Sequence, residues 1–350
     1  MVFALTGVCQ EVQDTTKAAP EVELFKGALK LIDSAKYKEA IVDLKKAIKI
    51  KPDYPAAYTK MAIAKIATKD LKGAEKDLKV SLASNPNDFE SLKVMGFMYF
   101  NTERYKECKV YFDSAASIAV VEKIDDAEFL YYRAKLMFLG KEYKQALDVL
   151  AAATEIKPKY IEAIVLKGEV RFAQKDYNYA LKELNEAIGL MKADALDYNA
   201  YKTRAKSKFE IADYKGAVSD WSVYLDGNPG EEDALISRGA ARINMNDNTN
   251  AIVDLDEAIK KNPKNPVSYN YRGMAKAGNK QLVEGLKDVD YSIKLKFDYG
   301  AAYVNRAAIK FASKDKRGAC EDLNKADTLG DKMAYKLIDQ YCKGMGDNRK

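Results

Sequence analysis

Residues 23–52 read ELFKGALKLIDSAKYKEAIVDLKKAIKIKP, and the chain beyond them is built on the same pattern. Leu24, Ala28 and Leu31 recur at helical spacing, the stripe breaks from Ser34 to Tyr37, and Ala40, Leu44, Ala47 and Ile48 make a second stripe. The pattern predicts a helical hairpin. Ala28 and Ala40 are small in mid-helix, where bulk would push the two helices apart. Pro52 stops the second helix because it has no N–H to donate to the preceding turn.

The small residue of the second helix returns as Ala74, Cys108, Ala146, Ala180, Ala217, Ala251, Gly285 and Ala319, at spacings of 34, 34, 38, 34, 37, 34, 34 and 34 residues. That of the first helix returns as Ala62, Gly96, Ala134, Gly168, Ala205, Gly239, Gly273 and Ala307, with nothing larger than alanine. The chain therefore holds nine copies in register. Two further marks travel with them: an inter-helix tyrosine (Tyr37, Tyr105, Tyr143, Tyr177, Tyr214) and a closing proline (Pro52, Pro86, Pro158, Pro229, Pro263). Asn248 and Lys316 replace the tyrosine in later copies; Val120, Lys192, Phe297 and Asp331 replace the proline. A two-helix unit with a period near 34 resembles the tetratricopeptide repeat over about residues 21–330. The resemblance implies an all-α solenoid, a right-handed superhelix of nine hairpins. The segment after Gly330, with Met333, Ala334, Leu337, Ile338 and Tyr341 on one face, is expected to form a C-terminal capping helix over 331–343, followed by a tail at 344–350.

Because a repeat array grows one core from end to end, the 350 residues are read as one domain. Basic and acidic residues nearly balance, 58 against 52, and the net charge of +6 is spread without a block of one sign, which does not call for nucleic acid. The absence of histidine removes histidine triads and histidine metal sites. Cys9, Cys108, Cys320 and Cys342 show no zinc-type spacing, and no apolar run approaches the roughly 20 residues of a membrane-spanning helix. Phosphate-loop and dinucleotide signatures are absent. No catalytic constellation and no cofactor is expected.

Residues 1–20 fall outside the repeats and are read as a signal-peptide remnant or a disordered N-terminus. The uncharged run from Val2 to Cys9 resembles the apolar end of a secretory signal, with Gln10 as a mature start, although the basic segment that normally precedes it is missing. A lipid anchor on Cys9 fits less well because Val8 is large. Periplasmic or cell-envelope placement is the expectation, cytoplasmic the alternative.

In five repeats a base of the first helix stands 16 residues before an acid of the second: Lys167 and Glu183, Arg204 and Asp220, Arg238 and Asp254, Arg272 and Asp288, Arg306 and Asp322. These are read either as a charged ladder for a partner or as ion pairs that fix hairpin register; the strict opposition of sign favours the second. On the first helices, Phe100, Phe138, Phe172, Phe209 and Phe311 form an apolar series, read either as pockets for a ligand or as helix packing. The resemblance further implies a groove that binds peptides or proteins. A known variant of the family grips terminal carboxylates with basic residues and asparagines, a pattern not met by Thr59, Val165, Ile236 and Val304 beside Lys202 and Lys206. The functional expectation is a non-catalytic scaffold or assembly adaptor for protein or peptide partners, a candidate component of a larger complex, with helical-repeat RNA binding as the alternative.

Cys320 and Cys342 lie 11 residues to either side of Asp331, opposite one another in an antiparallel pair, so they are expected to be neighbours. They form a candidate disulfide if the chain is exported, or two buried thiols if it is not.

Overall fold

Inside every copy the two helices are joined on one residue in the left-handed region. Ala35, Lys69, Glu103, Lys141, Lys175, Ala212, Asn246, Lys280 and Lys314 all have φ between 56° and 66°. The amide of the next residue then reaches back over the helix end, as Lys36 N to Leu31 O at 2.8 Å and Asp176 N to Arg171 O at 2.9 Å. The carbonyls left over at a helix end are satisfied, and the chain reverses within two residues. Aspartates at the helix starts do the complementary work: Asp70, Asp213 and Asp315 each accept from the amide of a glycine three residues on.

A computed structural model describes residues 18–192 and 194–342, and all regular structure among them is helical. The chain divides into two compact units, Met1–Glu142 and Tyr143–Lys350, with the border inside the fourth copy. The first holds α1 (Pro20–Asp33), α2 (Tyr37–Ile50), α3 (Pro55–Ala67), α4 (Leu71–Ser84), α5 (Phe89–Asn101), α6 (Tyr105–Glu122) and α7 (Ala127–Leu139). The second holds α8 (Tyr143–Ile156), α9 (Ile161–Ala173), α10 (Tyr177–Leu190), α11 (Tyr198–Glu210), α12 (Tyr214–Gly227), α13 (Glu232–Asn244), α14 (Asn248–Lys261), α15 (Pro266–Gly278), α16 (Leu282–Leu295), α17 (Gly300–Ala312), α18 (Lys316–Thr328) and α19 (Lys332–Tyr341). Within each unit, consecutive helices pack as hairpins, and each second helix packs on the next first helix.

The small positions are where the helices touch. A side chain on Gly96 would run into the Phe112 ring and one on Gly168 into Leu184, while Gly273 and Gly285 face one another across α15 and α16. This close approach lets large residues close the core behind it. Phe112, with Phe89, Phe97 and Phe129, makes an edge-to-face aromatic cluster in the first unit. Trp221 fills the equivalent space of the second unit beside Tyr224.

Two spacing irregularities have different physical forms. The first, after Val120, is extra helix: α6 has 18 residues where α2 has 14, and it ends only at Lys123 in the left-handed region. Val120 and Val121 are thereby carried out of the core, 80 % and 79 % exposed. The second falls between α10, which ends at Leu190, and α11, which begins at Tyr198, and Asp197 caps α11 through the Asn199 amide. The N-terminal run read as a signal-peptide remnant, Cys9 included, and the tail from 344 lie outside the described residues.

Candidate functional site

The charged pairs are internal to the fold in four repeats. Arg204 grips both oxygens of Asp220, at 2.8 and 2.7 Å, and Arg238, Arg272 and Arg306 hold Asp254, Asp288 and Asp322 in the same bidentate way. A second base one helical turn later completes each cluster: Lys208, Arg242, Lys276 and Lys310. The third arginine nitrogen reaches the second helix of the preceding repeat, at Asn185, Ser222, Asp256 and Asp290. One guanidinium thus ties three helices together. The sequence pattern contained the first contact, and the second base was visible at a spacing of four. The acids are nearly sealed, Asp220 and Asp254 at 2 % exposure, so these are not the weak surface pairs of the exposed case. Losing one partner of such a pair costs about 3–5 kcal/mol.

The fifth pair does not form: Lys167 donates to Thr154 Oγ1 of α8 at 2.7 Å. Repeat 2 has half a cluster. Lys65 pairs with buried Asp77, but Met61 occupies the arginine position. Burial raises the Asp77 pKa, with Lys65 opposing, because one ammonium does not replace the lost hydration.

The phenylalanines of the apolar series sit in the last turn of their helices and are buried or half-buried. Phe100, Phe172 and Phe209 pack on the inter-helix tyrosines Tyr105, Tyr177 and Tyr214, with ring centroids 5.3–5.8 Å apart. Phe100 also meets Tyr132 of α7 at 5.5 Å. Lys316 replaces the tyrosine in repeat 9, and Phe311 there packs on Tyr341 of α19 instead. Phe138 is half-buried near the end of α7. These rings join one helix to its neighbour.

The open face of the first helices lies one residue after the small position. In the first unit it carries Leu29, Ile63, Phe97 and Lys135, all half-buried. Phe97 stacks with Tyr132 at 4.8 Å, and Lys135 lies over the rings of Phe100 and Tyr131. In the second unit the same position carries Glu169, Lys206, Ala240, Met274 and Ala308, of which Lys206 and Ala308 are exposed, Glu169 and Met274 half-buried and Ala240 buried. This series was readable from the period, but its mixed chemistry hides it from a search for apolar stripes. Lys206 makes no ion pair with the described residues, whereas Lys202, one turn back, leans on the Tyr224 ring and Glu231. Lys206 reaches solvent, yet surrounding protein and then the Lys202 charge lower its ammonium pKa.

Cys320 and Cys342 are bonded, with Cα atoms 5.8 Å apart, and Cys108 is a buried free thiol. Among the described residues no group of three or more cysteines and carboxylates is placed to hold a metal, and no helix is long and apolar enough to cross a membrane.

A sequence profile of the tetratricopeptide repeat matches residues 31–96. DnaJ homolog subfamily C member 3 of Bos taurus is 23% identical over 235 residues, covering 61% of this chain and 47% of that protein, so the chain spans about half the length of this relative. Two solved structures share the fold. YrrB, described as a TPR protein with an unusual peptide-binding site, aligns with TM-score 0.50 and 17% identity over 53% of this chain and 94% of its own. PilW, described as a widely conserved type IV pilus biogenesis factor, aligns with TM-score 0.52 and 15% identity over 60% of this chain and 94% of its own.

Proposed function

The chain is a tetratricopeptide-repeat protein, and on that premise we propose that it is a non-catalytic scaffold that captures peptide or protein partners on its first-helix face. One observation carries this reading. The strong charges of repeats 6–9 are consumed inside the fold by the arginine clusters, while Lys206 and Ala308 on the first helices are left exposed. The aromatic counterpart around Phe97 and Tyr132 offers apolar anchorage in the first unit. The peptide-binding site of YrrB supports the mode of action, and the pilus biogenesis role of PilW supports an assembly adaptor. We place the protein in an oxidising compartment, the periplasm or cell envelope; the Cys320–Cys342 pairing supports that placement, since such bonds persist there.

A photo-crosslinking amino acid at Lys206 or Ala308, compared with one at the outward second-helix residues Val42 and Val253, tests the face. Crosslinks to protein from the first-helix positions alone are expected. Equal capture from both sets would overturn the assignment. RNA binding at micromolar affinity or tighter, falling steeply with salt, would favour a nucleic-acid role instead.

A further inference from the structure

The repeat keeps its cations in different places in the two units. One residue before the small position, α13, α15 and α17 carry Arg238, Arg272 and Arg306, which hold buried aspartates. Met61 and Met95 stand there in α3 and α5, both buried. The second-helix residue 16 positions earlier changes with them. It is Asp256 before Arg272 and Asp290 before Arg306, each bonded to its arginine, but Lys45 before Met61 and Lys79 before Met95. A methionine inside needs no carboxylate on the neighbouring helix, so in the first unit that position is open to a cation. Around it the outward side of α2 carries Lys38, Lys45, Lys46 and Lys49, and that of α4 carries Lys72, Lys76 and Lys79, all exposed. Two have partners on their own helix, Lys46 with Asp43 at 3.0 Å and Lys79 with Glu75 at 2.7 Å. The other five make no ion pair with the described residues, and Glu39 is the one exposed acid of the two helices. Val42 and Ile50 lie among them, 51 % and 52 % exposed, with Val80 at 37 %.

We propose that the outward face of α2 and α4 binds an anionic lipid surface. From Lys38 to Lys49 the ammonium groups are spread over about 16 Å of helix and do not converge on one point. Such a row reads charge density, which a sheet of lipid headgroups supplies at every position. The long lysine stems let the ammonium groups stay at the phosphates while Val42, Ile50 and Val80 enter the boundary between headgroups and acyl chains. An acidic protein would have to place separate carboxylates at fixed points, whereas a fluid surface adjusts to the lysines as they stand. The absence of arginine from the row agrees: a compact point charge suits a diffuse anionic surface, and the planar fork of arginine suits a placed carboxylate. This goes beyond capture on the first-helix face, which lies on other helices and stays free for a protein partner.

The test sediments the full chain with vesicles of phosphatidylcholine, with and without phosphatidylglycerol, at low and high salt. Binding is expected to the phosphatidylglycerol vesicles alone, and to weaken as salt shortens the reach of the charges. Lys38→Gln, Lys45→Gln and Lys49→Gln together should lower partition by about a hundredfold, since one lysine near an anionic surface is worth about fivefold. All three sites are exposed and glutamine is a good helix former, so helicity should be unchanged. Val42→Ser with Ile50→Ser should lower partition and leave its salt dependence as it was. No binding to phosphatidylglycerol vesicles at low salt, or equal binding by the triple variant, would overturn the proposal. Soluble polyglutamate bound as tightly as the vesicles, with no effect of the two serine changes, would give the face to an acidic protein and end the lipid assignment. The first-helix crosslinks are read at Lys206 and Ala308, so either reading can fail without the other.

Discussion

Arg272 holds Asp288 through two hydrogen bonds, Nε to Oδ2 at 2.8 Å and a terminal nitrogen to Oδ1 at 2.7 Å, and its other nitrogen donates to Asp256 of the preceding repeat at 2.7 Å. Burial works against the guanidinium charge, but the bonds to Asp288 and then Asp256 outweigh it and its pKa rises. Tyr269 lies three residues earlier with its ring 5.3 Å from the guanidinium carbon, an arrangement repeated at Tyr201 with Arg204 and Tyr303 with Arg306. Arg272→Met leaves the Asp288 carboxylate, 7 % exposed, with Lys276 alone. Urea unfolding should show a loss of about 3 kcal/mol, and Arg272→Met with Asp288→Leu should recover most of it. A double variant as unstable as the single one would show that Arg272 acts through Asp256 instead.

The glycines at the hairpin contacts should differ in a set order on replacement by alanine. At Gly273 a Cβ would lie 2.7 Å from the backbone oxygen of Gly285, so a helix must move. At Gly168 it would meet the Leu184 side chain at 2.6 Å, and at Gly239 the nearest atom is Leu255 Cγ at 3.1 Å. Gly273→Ala is therefore expected to cost the most, about 2–3 kcal/mol, Gly168→Ala less, and Gly239→Ala least. Thermal melts of the three variants check the order.

The period carried the hairpins, the small contact positions and the arginine pairs, because each is a local consequence of residues at fixed offsets. What it did not carry depends on third elements. Arg272 reaching Asp256 needs the preceding repeat to be placed, and Phe311 turning to Tyr341 follows from Lys316 standing where other copies have tyrosine. Lys167 has the right offset to Glu183 but finds Thr154 on α8 first. The first-helix face was missed for a different reason: its residues share a position and not a chemistry.

The left-handed turn residues are a reserve of stability. Lys175 and Lys280, at φ 62° and 65°, have a Cβ in a region that costs roughly 1–2 kcal/mol for a residue other than glycine. Lys175→Gly and Lys280→Gly should each raise stability, by about 0.5–1 kcal/mol after the greater chain entropy of glycine when unfolded is subtracted. Chemical denaturation of the double variant should show the two gains adding, because the sites lie in repeats that do not touch.

Cys108 has a position where Ala40, Ala74 and Ala146 stand in other copies, and it is fully buried. Burial, with a smaller contribution from Asp113, pushes its thiol from 9.0 up to about 12. The folded state therefore holds the proton more tightly than the unfolded chain. Its contribution is complete below pH 9 and is lost as pH rises toward 12, at up to about 1.4 kcal/mol per pH unit. Cys108→Ala should flatten the fall in urea midpoint between pH 9 and 11 while leaving the pH 7 value nearly unchanged. Tyr99, pushed up to about 12 by burial first, will keep part of the slope in the variant.

Stability and binding should separate by position on the same helices. Phe172 packs its ring on Tyr177 and belongs to the cluster with Ile164 and Leu184, so Phe172→Ser removes packing and is expected to cost about 2–3 kcal/mol. Ala308 and Lys206 are exposed and make none of these contacts. Ala308→Glu and Lys206→Glu should stay within about 0.5 kcal/mol of the parent, as surface changes do. If the open face is where a partner sits, these two changes are the ones that lower capture in a crosslinking or pull-down measurement, and Phe172→Ser lowers it only in proportion to the protein unfolded. Loss of capture with Phe172→Ser at full helicity, and none with the charge changes, would move the site to the phenylalanine series.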